Sequence, residues 1–192
     1  MEKKKINLIL SSSSKNRIFL LKKIKVPFTV FEPSINEDFY PSESPIKLVN
    51  RLSLQKGIKA KEKYKNACII SADTVVYSRK KIIDKTASIN EARLNLKLLS
   101  GRRHRVFTSV TFFTNSNKYF QYICQSIVKF KLLDEKDIDN YLTTNEWKGC
   151  SGSYAIQGYA EAFVDMISGS YSNVVGLPMN ITYKILKNNN LL

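Results

Sequence analysis

Ile69-Ile70-Ser71-Ala72-Asp73-Thr74-Val75-Val76 is the stretch on which the reading of this chain turns. Short apolar residues run straight into Asp73, and apolar residues resume after Thr74. Such a run reads as a buried strand end, and a carboxylate held there is costly unless it is paired, hydrated or metal-bound. The chain has only 16 acidic residues against 31 basic ones, so a buried Asp stands out. The plainer reading is that Asp73 caps a strand-to-strand turn, a common place for Asp. Asp73 alone leaves both readings open.

Outward from this stretch, strands and helices alternate. Ile6 to Leu10 reads as a buried strand, Ser11 to Ser14 as a small-residue turn, and Arg17 to Ile24 as a helix with Ile18, Leu21 and Ile24 on one face. Pro27 to Phe31 is a second strand and Ile46 to Lys63 a long helix. Ala67 to Ala72 is the third strand, followed by a hairpin of Val75 to Tyr77 and Lys81 to Ile83 around Arg79-Lys80. Ser88-Ile89-Asn90-Glu91 has the pattern of a capping box, opening a helix that ends at Ser100-Gly101. Val106 to Phe113 and Tyr119 to Leu132 are β-branched and aromatic, and read as an antiparallel pair. Asp134 opens a further helix, Ala162 to Ile167 is a late strand, and Pro178 suits the first position of the last helix. The early β-α-β-α-β order with a later antiparallel part predicts an α/β fold on a mixed parallel and antiparallel sheet flanked by helices.

Composition bounds the function. At 192 residues and 43% hydrophobic, the chain suits a single domain, 1–192, or one domain with a second lobe. Its longest apolar runs are four residues, such as Ile18 to Leu21, too short to span a bilayer. Met1 to Lys5 is basic, but Ile6 to Leu10 is too short for a signal-peptide core, so a soluble cytoplasmic protein with no membrane partner is expected. Cys68, Cys124 and Cys150 form no Cys-x-x-Cys pair and indicate neither a disulfide framework nor a zinc knuckle. His104 is the only histidine, which excludes a multi-histidine metal site. It lies among Arg102, Arg103 and Arg105, cations that disfavour its protonation as a triad base. The net charge of +15 fits nucleic acid, an anionic small substrate, or a Lys-rich compositional habit.

Several segments carry possible chemistry. Ser11-Ser12-Ser13-Ser14-Lys15-Asn16-Arg17 joins a strand to a helix N-terminus, where hydroxyls, orphan backbone N–H groups and Arg17 suit an anion. A plain N-cap run would also explain Ser14. Lys56 and Lys85 are further cations, for which a solvated lysine is the default. Gln157, in Ala155-Ile156-Gln157-Gly158, sits in a loop whose amide could read a base edge or orient a water. Gly169 to Pro178 is another loop entering a helix.

Taken together and in order, these segments resemble the Maf family of nucleoside triphosphate pyrophosphatases over nearly the whole chain. The resemblance is carried by Leu8 to Arg17, Ser71-Ala72-Asp73-Thr74, Leu99 to His104, Ile156-Gln157-Gly158 and Gly169 to Pro178. It implies a fold like that of inosine triphosphatases, with a central cleft. It also implies hydrolysis of a nucleoside triphosphate to a monophosphate and pyrophosphate, assisted by a divalent cation such as Mg²⁺ or Mn²⁺. Asp73 matches the proton acceptor, with Lys56 and Lys85 as catalytic cations. Ser12, Ser14 and Arg17 match substrate-binding positions on the phosphates. Glu37 and Asp73 match the metal-binding acids. Thr74, Gln157 and Asn16 match base-selecting positions, and the first two fit the branch acting on dTTP and UTP. The resemblance allows a homodimer. The chain departs from the family at Asn16, where that branch carries Arg, at Lys15 for Pro, and at Asp84-Lys85-Thr86 for Gly-Lys-Pro. The competing readings are a basic nucleic-acid-binding module and a regulator of cell division that binds nucleotide without turning it over.

Overall fold

The computed structural model describes residues 7–192. The basic Met1 to Lys5 segment and Ile6, the expected start of the first strand, lie outside the described residues. In chain order the elements are β1 (Leu8–Ser11), α1 (Lys15–Lys22), β2 (Thr29–Phe31), α2 (Pro45–Lys63), β3 (Cys68–Ser78), β4 (Lys81–Ile83), α3 (Ile89–Leu99), β5 (Arg103–Phe113), β6 (Tyr119–Phe130), α4 (Glu135–Thr143), β7 (Val164–Ser168), α5 (Tyr171–Val175) and α6 (Met179–Asn188). The sheet runs β2-β1-β3-β5-β6-β7, with β4 paired to β3. β1 is parallel to both β2 and β3, whereas β3–β4 and β6–β7 are antiparallel. The mixed sheet is therefore as expected. No helix among the described residues is long and apolar enough to cross a membrane.

The chain divides into two compact units. The first comprises the chain up to Asp73 with Thr108–Ile123 and Gly176–Leu192, and the second Thr74–Phe107 with Cys124–Val175. The first unit has an aliphatic core, with Ile9, Ala60, Ala67, Ile69 and Phe113 in one cluster. β1 is buried throughout and β3 is buried from Ile69 to Asp73, which is why these two read as unbroken apolar runs, whereas the parallel edge strand β2 is largely exposed. Each fully buried Ile or Leu contributes about 1.5–3 kcal/mol. The second unit is held by aromatic rings. Phe130 packs edge-on against Tyr154 at 4.9 Å and against His104 at 5.0 Å, and Tyr141 against Phe163 at 5.5 Å.

Four local expectations are corrected. Ala67 to Ala72 and Val75 to Tyr77 belong to one continuous strand, β3, so Asp73 lies within a strand and caps no turn. Ser88 caps α3 by accepting from Glu91 N, but the Glu91 carboxylate accepts a hydrogen bond from the Thr86 hydroxyl, while Ser88 N donates to Thr86 Oγ1. Only half of the capping box forms there. The reciprocal box is at α4, between Asp134 and Asp137. Pro178 is the N-cap of α6, one position before the place expected for it, and its carbonyl accepts from Thr182 N and Oγ1. β7 begins at Val164, because Tyr159–Phe163 winds into a 3-10 turn.

Candidate active site

In the first unit, Asp73 sits on β3 and Lys56 on α2, each 5% exposed. Lys56 Nζ donates to Asp73 Oδ1 at 2.6 Å and lies 2.7 Å from Glu37 Oε1. Two carboxylates thus converge on one buried ammonium. Removing one member of such a group leaves an uncompensated buried charge, so the three are an energetic unit.

The sequence sets this geometry through close approach of α2 to the sheet. Ser11 Oγ at the end of β1 donates to the Lys56 carbonyl at 2.7 Å, and Ser71 Oγ on β3 donates to Ser53 O at 2.7 Å. Gly57 makes the approach possible. A Cβ there would stand 2.5 Å from the Phe113 ring and 2.8 Å from Ser71 Oγ. The adjacent Lys56 is delivered by that contact.

Glu37 reaches the ammonium from the loop between β2 and α2, and its side chain is 41% exposed. Arg51, also on α2, clamps that loop. It donates through Nε and Nη2 to Glu43 Oε1 and Oε2 at 2.8 and 2.7 Å, and through Nη2 to Asp38 O at 2.8 Å. Its guanidinium stacks 3.9 Å over the Tyr40 ring. The fork-on-fork bond holds the Glu43 carboxyl below, and the Arg51 guanidinium above, their ordinary ranges. Arg51 and Glu43 escaped sequence reasoning because the pairing spans a loop and has no helical or strand period.

The serine run does what a strand-to-helix anion cradle needs. Ser14 is the N-cap of α1, and its side chain accepts from Arg17 N at 3.4 Å. Ser12 Oγ accepts from Ser14 N at 3.1 Å and from Arg17 Nη1 at 3.4 Å, so its own proton is available to donate. Arg17 is buried, and its Nε donates to Gly176 O at 2.8 Å. Burial pulls its pKa down while Asp73 and Glu37 oppose the shift, and the guanidinium stays charged. Asn16 is half-buried in the first turn of α1.

Thr74, Lys85 and Gln157 belong to the second unit. The Thr74 carbonyl accepts from Ser151 Oγ at 2.9 Å, beside Gly152, which takes φ 75° and lies against Val76. Lys85 is exposed, and its charge lowers the Cys150 thiol, whose pKa is raised on balance by burial. Gln157 is exposed on a turn closed by Gly158 N donating to Ala155 O at 3.0 Å. Glu146 braces that turn by accepting from Tyr159 N at 2.8 Å, and its carboxylate occupies the space a Gly158 side chain would need. Glu146 also escaped sequence reasoning, since it is brought to the turn from another loop.

Asp73 and Glu37 are the groups that could hold a divalent cation. Among the described residues there is no cluster of three or more His, Cys, Asp or Glu, so a closed protein cage is not what they form. Two carboxylates already converging on a cationic nitrogen fit Mg²⁺, which is commonly held by one or two carboxylates and completed by substrate phosphates and water.

A family model described as Maf-like protein matches residues 7–189. Over 181 residues the chain is 42% identical to a nucleoside triphosphate pyrophosphatase of Ehrlichia chaffeensis, covering 94% of each chain. It is 41% identical over 184 residues to a dTTP/UTP pyrophosphatase of Wolbachia pipientis wMel, covering 95% of this chain and 93% of that one. Among solved structures it is similar to the Staphylococcus aureus Ham1 protein, with a TM-score of 0.45 at 13% identity over 65% of this chain and 71% of that one. The family match spans nearly the whole chain and the two sequence relatives are 42% and 41% identical to it, and the chain belongs to the Maf-like protein family.

Proposed function

We propose that this protein hydrolyses a nucleoside triphosphate, with dTTP and UTP preferred, to the monophosphate and pyrophosphate. The observation that carries this reading is the buried Lys56 ammonium shared by Asp73 and Glu37. Water attacks the α-phosphorus, the bond from that phosphorus to the bridging oxygen breaks, and pyrophosphate leaves with the bond electrons. Asp73 accepts the proton of the attacking water. Its Oδ1 is engaged by Lys56, which fixes the carboxylate and leaves the second oxygen for the water.

Ser12, Ser14 and Arg17 with the first amides of α1 receive phosphate oxygens, at the positively polarised end of a helix. Lys85 supplies a cation to the phosphates, whose charge grows on the leaving group in the transition state. A divalent cation on Asp73 and Glu37 supplies neutralisation of phosphate charge when bound. Thr74, Gln157 and Asn16 select the base. The three free cysteines support a reducing, cytoplasmic setting.

The base assignment is tested with dTTP, UTP, CTP, ATP, GTP and 7-methyl-GTP, measuring released pyrophosphate. Higher kcat/KM for dTTP and UTP is expected, because a site built to pair a pyrimidine edge rejects bases that leave its polar groups unpaired. Asn16→Arg should sharpen the preference, since Arg adds a bidentate fork that Asn lacks. A preference for GTP or 7-methyl-GTP would overturn the pyrimidine assignment.

A further inference from the structure

The second unit contains a cavity of about 530 Å³ that none of the ten residues assigned above lines. Its wall is made by the tip of the β3–β4 hairpin and the start of β5, and it carries Arg79, Lys80, Arg103 and Arg105. No acidic residue lines it.

The arginines elsewhere in the chain are all engaged. Of the seven, Arg17, Arg51, Arg93 and Arg102 hydrogen-bond to carboxylates, hydroxyls or carbonyls. The other three, Arg79, Arg103 and Arg105, make no side-chain hydrogen bond or ion pair among the described residues, and all three face this one cavity. Cations gathered without carboxylates repel one another, and a bound anion removes that repulsion.

Two further observations point to a ligand. His104 is also in the wall and is only 2% exposed. Its Nε2 shares a 2.8 Å hydrogen bond with the Tyr154 hydroxyl, while its Nδ1 is buried with no partner among the described residues. With the Tyr154 hydroxyl donating to Nε2, Nδ1 carries the ring proton and is left unpaired behind the cationic wall. An orphaned buried nitrogen is otherwise a standing cost. The second observation is the turn itself. Arg79 and Lys80 have φ of 49° and 60°, a left-handed pair in a two-residue hairpin where Asn-Gly is favoured. Two long cations are kept in a conformation that suits neither.

We infer that this cavity is a second, non-catalytic binding site for an oligophosphate anion, either free pyrophosphate or the phosphate chain of a nucleotide. Guanidinium forks match phosphate oxygens two at a time. The volume suits a nucleotide-sized ligand, and the half-buried Tyr77 lines the same wall. A recess built around a buried histidine favours a compact anion over an extended polynucleotide, which would track a basic groove.

The test counts binding equivalents by titration calorimetry, with pyrophosphate as one titrant and a non-hydrolysable α,β-imido UTP as the other. The wild-type protein should bind one equivalent more than the Arg103→Ala/Arg105→Ala variant. That difference does not depend on whether the catalytic residues also bind the titrant. Arg79→Asn/Lys80→Gly, which relaxes the turn, should weaken the same equivalent while raising the thermal midpoint. The titrant that binds this equivalent more tightly identifies the source of the phosphate chain. Equal stoichiometry in wild type and both variants for both titrants would overturn the inference. So would variants that lose only binding of a single-stranded oligonucleotide, which would make the patch a nucleic-acid contact.

Discussion

Two groups of cations in this molecule are treated in opposite ways. In the first unit, Lys56 and Arg17 are buried and matched, Lys56 by Asp73 and Glu37, Arg17 by Ser12 and the Gly176 carbonyl. In the second unit, Arg79, Lys80, Arg103 and Arg105 are exposed and unmatched. Matched, buried charge is oriented in advance and does not reorganise when charge develops on a reacting group, which is what catalysis requires. Unmatched cations gathered without carboxylates repel one another and favour holding something anionic. The contrast separates a site built for chemistry from one built for binding, although both are basic.

The sharpest way to break the comparison is to change the matched site. Asp73→Asn should lower turnover by about two to four orders of magnitude, the usual scale for a lost general base. The fold should persist, because the Asn carbonyl can still accept from Lys56 and Glu37 still pairs with it. Circular dichroism and a pyrophosphate assay on one sample check both halves. Near-normal turnover in a folded variant would remove Asp73 from the role of base.

Lys56→Met should show next how differently the two groups are bound into the structure. It strands the buried Asp73 carboxylate and should cost about 3–5 kcal/mol in a denaturant titration. Arg103→Ala, which strands nothing, should stay within about 0.5 kcal/mol of wild type. Equal losses would mean that Lys56 is no more structurally embedded than a surface arginine.

Burial pushes the His104 pKa down to about 4 from an ordinary 6.5, so the folded protein resists its protonation. Between those values the unfolded chain binds a proton that the folded one does not. Stability should therefore fall as the pH drops through this window, by roughly 3 kcal/mol in all, and this contribution should be flat above it. His104→Gln should flatten that limb in a comparison of unfolding free energies at pH 7 and pH 4.5. An unchanged slope would assign it to other groups.

Much of this architecture is legible in the residues. The apolar runs at β1 and β3 and the caps at Ser14 and Asp134 follow local rules that the fold obeys. Asp73 is legible too, as an acid where the pattern calls for an apolar residue. The continuity of β3 through it is not, because both faces of that strand are covered and no alternation marks its course. Nor are the Arg51–Glu43 clamp, the Glu146 brace or the meeting of Lys56 with Glu37, since each ties a loop residue to a neighbouring segment without a periodic signal. The basic cavity is half legible: Arg102-Arg103-His104-Arg105 is conspicuous, but its convergence with Arg79-Lys80 requires the hairpin to be folded.

Cleavage between the α and β phosphates is the step proposed for the matched cations. Phosphorus NMR of dTTP incubated with the purified protein and Mg²⁺ tests it most directly. The expected products are dTMP and pyrophosphate in equal amounts, with no dTDP. Accumulation of dTDP and inorganic phosphate, or unchanged dTTP under the same conditions, would contradict it.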